Sequence, residues 1–388
     1  MLYRIIILLL VLLILPDLYI YWIYVRKWTR RCCLRVLSFA PSAILLTAMT
    51  AIMSSNDMKP DNQPYVGLFM TVMLLICLPK FLFSFIDCIG RLFPSPRIRR
   101  TFRISGMSIA LFSILILCCG CFWGRSRFVV HKQTFYFTDL PHEFDGYRIA
   151  QFSDMHIGTL RKGHEADAKK IVDLINDQRC DMIVFTGDLV NHQACELDGF
   201  KHILSQLSAP DGVYAIMGNH DYSMYIKYPL ESMRKADVKD LQRRERSFGW
   251  NLLINNHDII HRKKDSIAII GVENDGRPPF PSLGDLPKAT KGIGKGTFSI
   301  LLSHDPTHWR REVLPKTDIQ LTLSGHTHAG QFKVFGWSPV AFVYDEWSGA
   351  YSEGKQILNV SDGIGAVMFP FRFGAWPEVN VITLKKMD

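Results

Sequence analysis

Five short apolar runs in the C-terminal two-thirds of this chain each end in a cluster of aspartate, asparagine or histidine, and that repetition constrains the fold more than any other feature. Tyr147–Phe152 ends in Ser153-Asp154-Met155-His156, and Met182–Phe185 runs into Thr186-Gly187-Asp188. Val213–Met217 ends in Gly218-Asn219-His220-Asp221, and Phe298–Leu302 in Ser303-His304-Asp305. Ile319–Leu323 leads into Ser324-Gly325-His326-Thr327-His328-Ala329-Gly330-Gln331. Runs this short and this apolar read as buried strands. Between the first three lie helical stretches, His164–Arg179 with Ala168, Ile171, Val172, Leu174 and Ile175 on one side, then Glu196–Leu207. A β-α-β-α-β order with polar residues after each strand is the pattern of an α/β sheet whose site sits at the strand ends. Further strands are expected at Leu252–Ile254, Ile259–His261, Ile267–Gly271, Ile357–Val360 and Val379–Leu384, enough for two sheets packed together and flanked by helices.

Nitrogen and oxygen donors gathered at one edge suit a cation. Asp154 and His156 stand two apart, as do His326 and His328, so in extended chain each pair faces one way. Asp188 offers a carboxylate whose two oxygens could bridge two cations, Asn219 a neutral carbonyl oxygen, and His220 and His304 further imidazoles. A set without thiolate suits Zn, Mn or Fe rather than Ca. A single strand-end histidine is usually a hydrogen-bonded surface or core residue; five clusters after five β-rich runs are not explained that way.

The first third differs in kind. Residues 1–130 hold 15 Lys+Arg against 4 Asp+Glu, whereas residues 131–388 hold 30 against 32. The net charge of +9 therefore belongs to the N-terminal part, and no cationic face remains for a nucleic-acid partner. That part carries apolar runs at about 5–25, 36–53, 66–87 and 104–123, long enough for four transmembrane helices and without the polar face of a soluble helix. Tyr19-Ile20-Tyr21-Trp22 leading into Arg26-Lys27 fits an uncleaved anchor at a membrane interface better than a signal peptide. Arg26, Lys27, Arg30, Arg31 and Arg35 crowd the first loop, and Arg91, Arg97, Arg99, Arg100 and Arg103 the third; the second has only Lys59 between Asp57 and Asp61. The positive-inside rule then puts the N-terminus and everything after Trp123 outside, with Arg125, Arg127 and Lys132 counting against it. Phe128–Phe137 alternates loosely as a strand, and residues 126–146 as a whole read as a connecting segment.

Asp-x-His, Gly-Asp, Gly-Asn-His-Asp, a single His and Gly-His-x-His, in that order from Tyr147 onward, resemble the calcineurin-like metallophosphoesterase superfamily. Gly-His-Thr-His-x-Gly-Gln and the ending Gly363-Ile364-Gly365, Pro370-Phe371-Arg372 and Pro377-Glu378 resemble its membrane-associated branch, which includes bacterial enzymes cleaving the pyrophosphate of UDP-diacylglucosamine. Ala329 stands where that branch usually has glycine. The resemblance implies a four-layer αββα double-sheet sandwich over 147–388, behind a membrane region of residues 1–125. It implies two divalent ions: Asp154, His156 and His328 holding one, Asn219, His304 and His326 the other, with Asp188 bridging. A metal-bridging hydroxide would attack the phosphorus, and His220, held by Asp221, would stabilise charge or protonate the leaving oxygen. Arg372 is expected to clamp the substrate phosphate. The expected substrate is phosphorylated, with lipid-linked phosphoesters and pyrophosphates among the candidates, and the expected home is a bacterial inner or plasma membrane.

Other readings are weaker. A membrane receptor or scaffold using this fold without catalysis would be favoured by loss of Asp188, His220 or a histidine ligand, and none is lost. Asp17, Lys80 and Asp87 are the charges on which a transporter reading would rest. Gly292-Ile293-Gly294-Lys295-Gly296-Thr297 lacks the spacing of a phosphate-binding loop and precedes a strand. Leu230–Phe248 is a basic helical stretch whose acids nearly balance its bases, which fits a solvated face better than a lid or membrane-surface helix. Cys180 and Cys195 could pair in an oxidising compartment.

Overall fold

The computed structural model describes residues 2–55, 62–161 and 163–387, with no side-chain description for 2–10 and 53–55. It divides into a helical unit, Met1–Trp123 with Met368–Pro370, and a second unit, Gly124–Val367 with Phe371–Asp388.

The four apolar runs of the helical unit are all helical. They lie in Leu2–Ile20 with a π-turn to Val25, in Ala40–Ser55, in Gln63–Arg91 and in Pro96–Phe122. Among the described residues two helices, those starting at Gln63 and Pro96, are long and apolar enough to cross a membrane by themselves. The third run, which carries Lys80 and Asp87, is one continuous helix of 29 residues through Pro79. Its charges are spent internally: Lys80 Nζ lies 2.6 Å from Asp17 Oδ1, and Asp87 accepts from Tyr19 and Tyr24 hydroxyls at 2.6 Å each and from Arg91 at 3.0 Å. Charges buried in an apolar unit persist when paired, and the Lys80–Asp17 pair and the tyrosine bonds to Asp87 tie helices together. The loop with Asp57, Lys59 and Asp61 lies outside the described residues.

Among the described residues, the second unit holds twelve strands in two six-stranded sheets. In chain order they are β1 Val129–Phe137, β2 Arg148–Phe152, β3 Met182–Phe185, β4 Val213–Ala215, β5 Asn251–Leu252, β6 Asn256–Arg262, β7 Asp265–Gly271, β8 Ser299–Leu302, β9 Leu321–Ser324, β10 Gly349–Glu353, β11 Gln356–Val360 and β12 Glu378–Lys386. One sheet runs β1-β12-β2-β3-β4-β5, the other β10-β11-β9-β8-β7-β6. In the first, β2 to β5 are parallel; in the second, β7, β8, β9 and β11 are. Strand alternation sorts the side chains. Ile149, Met182 and Val184 meet Ile267, Ile269, Ile300, Leu302, Leu321 and Leu323 between the sheets. Ala150, Phe152, Ile183 and Phe185 face outward under Ile171 and Leu241 of the helices Glu165–Asn176 and Glu231–Ser247. Ala268, Ile270, Leu301 and Leu358 face outward under Leu286, Ala289, Trp309 and Val313. The four αββα layers follow from the period-two pattern of these strands.

Two details depart from expectation. Residues 126–146 are not a connector: β1 pairs in parallel with β12 over nine residues, so the sheet begins directly after the last apolar helix. Glu196–Leu207 is not one helix; Gly199, at φ +87°, separates the turn Ala194–Leu197 from the single turn Lys201–Leu204. Cys180 and Cys195 are free thiols. In the helix Glu231–Ser247, Arg234 pairs with Glu231 at 2.9 Å and Arg244 with Asp240 and Asp198 at 2.7 Å each, in keeping with its charge balance.

Candidate metal centre

The polar clusters meet where the parallel strands of both sheets end. Asp154 and His156 follow β2, Asp188 follows β3, and Asn219 and His220 follow β4; His304 follows β8, and His326 and His328 follow β9. Three groups have their ligand atoms within 4.8 Å of one another: Asp154 with His156 and His328; His156 with Asp188 and His220; Asp188 with His304 and His326. Asp188 belongs to two of the groups. Asn219 joins the last, its Oδ1 lying 2.8 Å from His326 Nδ1 and 3.2 Å from His304 Nε2.

These residues do not share faces through strand alternation. Asp154, His156, Asp188, His326 and His328 all have left-handed backbone, with φ between +44° and +77°. Such conformations cost free energy in non-glycine residues and collect at functional sites. They also send His326 and His328 apart, His326 toward Asn219 and His328 to within 3.1 Å of His156 Nε2. Backbone bonds between loops hold the turns: the Asp154 N–H donates to Gly187 O at 2.9 Å, and the His156 N–H to Asp188 O at 3.2 Å. The fit is close enough that a Cβ on Gly218 would overlap Asp188 Oδ1, and one on Gly325 would overlap Ser153 Oγ and Asp154 Oδ2.

The imidazoles are oriented from behind. His304 Nδ1 bonds Thr186 O at 2.7 Å and His220 Nδ1 bonds Asn191 O at 2.7 Å, which in each case turns Nε2 inward as the free acceptor. His326 is turned the other way: Nε2 meets the Tyr344 hydroxyl at 2.8 Å, so Nδ1 faces the centre. Burial alone would raise the carboxyl groups of Asp154 and Asp188, but the neighbouring histidines, His328 for Asp154 and His304 for Asp188, outweigh it and hold both below the usual range. Burial lowers His304, yet Asp188 at 3.1 Å overrides it and pushes the imidazole up to about 10. Buried anionic oxygens and inward nitrogen lone pairs as close as 3.1 Å fit divalent cations better than they fit one another. The donor set is nitrogen and oxygen throughout, as expected for Zn, Mn or Fe.

Two residues play other parts than expected. Asp221 does not hold His220; its buried carboxylate accepts backbone N–H groups of Asp188 and Gly218 at 2.8 Å each, Leu189 at 2.9 Å and Val190 at 3.2 Å. It staples the loops after β3 and β4, and burial with the adjacent Asp188 charge raises its pKa to about 7. Arg372, expected to clamp the substrate phosphate, has its guanidinium turned to the protein. It is fully buried, and its five N–H groups are all engaged: Nε and Nη2 on Gly365 O at 2.8 and 2.6 Å, Nη1 on Asp362 O at 2.6 Å and His328 O at 3.2 Å, and Nη2 on His328 Nδ1 at 2.8 Å. It is a positioning residue behind His328.

Residues not anticipated complete the surroundings. Tyr225 donates no strand-end signal, yet its hydroxyl accepts from Asn219 Nδ2 at 2.6 Å and its ring packs 4.3 Å from that of His220. Phe280 packs edge-on to His326 at 4.7 Å. The His192 ring lies 6.3 Å from His220, and burial with that neighbour's charge lowers its pKa to about 4. Asn191, three residues past Asp188 in Gly-Asp-Leu-Val-Asn, was the one of these with a readable signal, a polar residue closing an apolar pair.

Residues 147–330 match the family model of calcineurin-like phosphoesterases. Residues 3–125 match a second model, described as the transmembrane domain of a probable calcineurin-like phosphoesterase. An uncharacterized metallophosphoesterase of Bacillus subtilis (strain 168), YkuE, is 33% identical over 268 residues, covering 64% of this chain and 82% of the relative. One from Aquifex aeolicus (strain VF5) is 30% identical over 259 residues, covering 66% and 91%. A transmembrane protein with metallophosphoesterase domain from Danio rerio is 30% identical over 256 residues, covering 64% of this chain and 55% of the relative.

Proposed function

The chain belongs to the calcineurin-like phosphoesterase family, and from that premise we propose that it is a membrane-anchored, two-metal phosphoesterase that hydrolyses a phosphate ester or pyrophosphate of a lipid-linked substrate. Its membership makes it a phosphoester hydrolase with a transmembrane domain. The observation that carries the two-metal reading is the sharing of Asp188 between two ligand groups, one with His156 and His220 and one with His304 and His326; Asp154 and His328 join His156 on the first side, and Asn219 joins His304 and His326 on the second. When bound, two divalent ions would supply Lewis-acid activation of water and charge neutralisation at the phosphoryl oxygens. The protein supplies the rest. Asp188 Oδ1 accepts the His220 N–H at 2.8 Å, which fixes that residue beside the centre. With Nδ1–H held by Asn191 O, His220 in its protonated form presents Nε2–H to a leaving oxygen. Tyr344 and Arg372 keep His326 and His328 from rotating.

The substrate is read from the tether and the relatives name none. A domain fixed to lipid works at the bilayer, which favours amphiphilic phosphoesters. The arginine-rich ends at Arg26–Arg35 and Arg91–Arg103 favour a cytoplasmic location for those loops, and so an extracytoplasmic centre in a plasma or bacterial inner membrane. UDP-diacylglucosamine chemistry would require the opposite side, so a reporter fused after Asp388 discriminates: an extracytoplasmic result eliminates that substrate. The activity test uses the full-length chain in detergent with Mn²⁺ and bis-p-nitrophenyl phosphate. Hydrolysis lost in Asp188→Asn and His220→Ala supports the reading, and hydrolysis untouched by both would falsify it.

A further inference from the structure

The loops on either side of the centre carry a feature that hydrolysis of a soluble ester does not require. Between Lys333 and Asp345 the chain has no charged residue: Val334-Phe335-Gly336-Trp337-Ser338-Pro339-Val340-Ala341-Phe342-Val343-Tyr344. Val334 and Trp337 close a tight turn through paired backbone bonds of 2.9 and 3.0 Å, with Phe335 and Gly336 at its tip. Phe335 is fully exposed, at 105% of its reference area, and has φ +49°. Asparagine, aspartate or glycine is the usual solution at a left-handed turn tip. An aromatic ring there is disfavoured locally and gains nothing from packing, which points to a partner outside the chain. Trp337 and Phe342 stack edge-on at 5.6 Å beside it, Phe342 at 83% exposure. On the other side of the centre, Met224 and Leu230 are also exposed. A chain of hydrogen bonds joins the two sides through the centre itself: Tyr225 hydroxyl to Asn219 Nδ2, Asn219 Oδ1 to His326 Nδ1, His326 Nε2 to Tyr344 hydroxyl. The apolar rim, the stretch that ends at Tyr344, is therefore tied to the site through that hydroxyl.

The same unit starts at Gly124, with only Trp123 between it and the apolar helix that ends at Phe122. Uncharged stretches rich in Trp, Tyr and Phe are suited to the interfacial layer of a bilayer. We propose that the rim docks onto the lipid bilayer, with Phe335, Trp337 and Phe342 entering its acyl boundary. Docking of this kind turns the centre toward lipid headgroups, where a lipid-linked phosphoester would be found.

The test is fluorescence quenching of the full-length protein in phosphatidylcholine vesicles with and without dibrominated acyl chains. The difference between wild type and Trp337→Phe isolates the Trp337 emission. The expected result is loss of that emission in dibrominated vesicles and its protection from aqueous acrylamide. In the double variant Phe335→Ser/Phe342→Ser the emission should return in dibrominated vesicles and become open to acrylamide. Trp337 emission unaffected by bromine but quenched by acrylamide overturns the proposal, because the rim then faces water. Emission shielded from both quenchers also overturns it, because the rim is then covered by protein, such as a second copy. Neither readout depends on hydrolysis, so an inactive protein with quenched Trp337 would sink the enzymatic reading and leave the docking intact.

Discussion

Replacing Arg372 tests whether a residue with no access to substrate governs the centre. Arg372→Met removes the guanidinium from five acceptors, Gly365 O, Asp362 O, His328 O, Ala375 O and His328 Nδ1, all within a fully buried pocket. Each orphaned acceptor costs about 1–3 kcal/mol, but the variant also sheds the desolvation of the cation, a burden visible in the lowering of Arg372 to about 10 by burial. Breaking such a buried charged network costs a net ~3–5 kcal/mol. Arg372→Lys keeps the charge yet offers three donors on one atom, which cannot span acceptors on both sides of a planar fork. For the ion held by Asp154, His156 and His328, loss of a partner behind a ligand lowers affinity about 10–100-fold. The ion held by Asn219, His304 and His326 should be affected less. Dialysis of the full-length protein against graded chelator, followed by metal analysis, reads this directly as one ion leaving before the other. Wild-type metal retention in both variants would refute the positioning role. A raised KM with metal content unchanged would return Arg372 to the substrate.

Two further outcomes follow from crowding and from an orphaned carboxyl group. Gly325→Ala should destabilise the fold by about 1–3 kcal/mol and weaken metal retention, because the new Cβ overlaps Ser153 Oγ and Asp154 Oδ2; an unchanged melting midpoint with full metal content would contradict the tight approach. Glu245 is fully buried, neither oxygen meets a donor among the described residues, and burial aided by the Asp221 charge raises its pKa well above the ordinary value. The folded state then keeps a proton that the unfolded chain releases, so this group's contribution is fully present below the unfolded pKa and is lost as pH rises through the folded one. Glu245→Met should therefore raise stability by about 1–3 kcal/mol at neutral and higher pH, with the advantage shrinking in acid; denaturant midpoints across that range check it, and a pH-independent difference would be evidence against a buried proton.

What the sequence made legible was the set of groups, because an apolar run followed by Asp, Asn or His survives any detail of geometry. Asp154, Asp188, Asn219, His304, His326 and His328 stand together at the sheet edges for that reason. How they converge was not legible, since left-handed φ at Asp154 or His328 is set by bonds to loops far along the chain rather than by neighbours. The same holds for Asp221 and Arg372. Asp221 reads naturally as the support of His220, and Arg372 as a clamp on phosphate, but tertiary backbone groups claimed their oxygens and nitrogens first. β1 is legible as a strand from its alternation, but its place in the sheet was not, because its partner, β12, lies at the other end of the unit; Gly199 broke a helix that the apolar pattern alone would continue.

The ligand groups also have a mechanical meaning. Asp154, His156, Asp188 and Asn219 come from the sheet built on β2, β3 and β4, whereas His304, His326 and His328 come from the sheet built on β8 and β9. Any ion seated among Asp154, His156 and His328, or among Asp188, His304 and His326, is bonded to both sheets at once. Elsewhere the sheets adhere through apolar contact and through hydrogen bonds such as Gln151 Nε2 to Ser324 O and Asn359 Nδ2 to Gln151 Oε1, both 2.8 Å, which yield one after another as two faces slide or peel. A coordinate tie at one edge does not yield gradually. Separation of the sheets must begin at the far edge or wait for the ion to leave, so loading the centre should slow unfolding beyond what the gain in equilibrium stability alone would suggest.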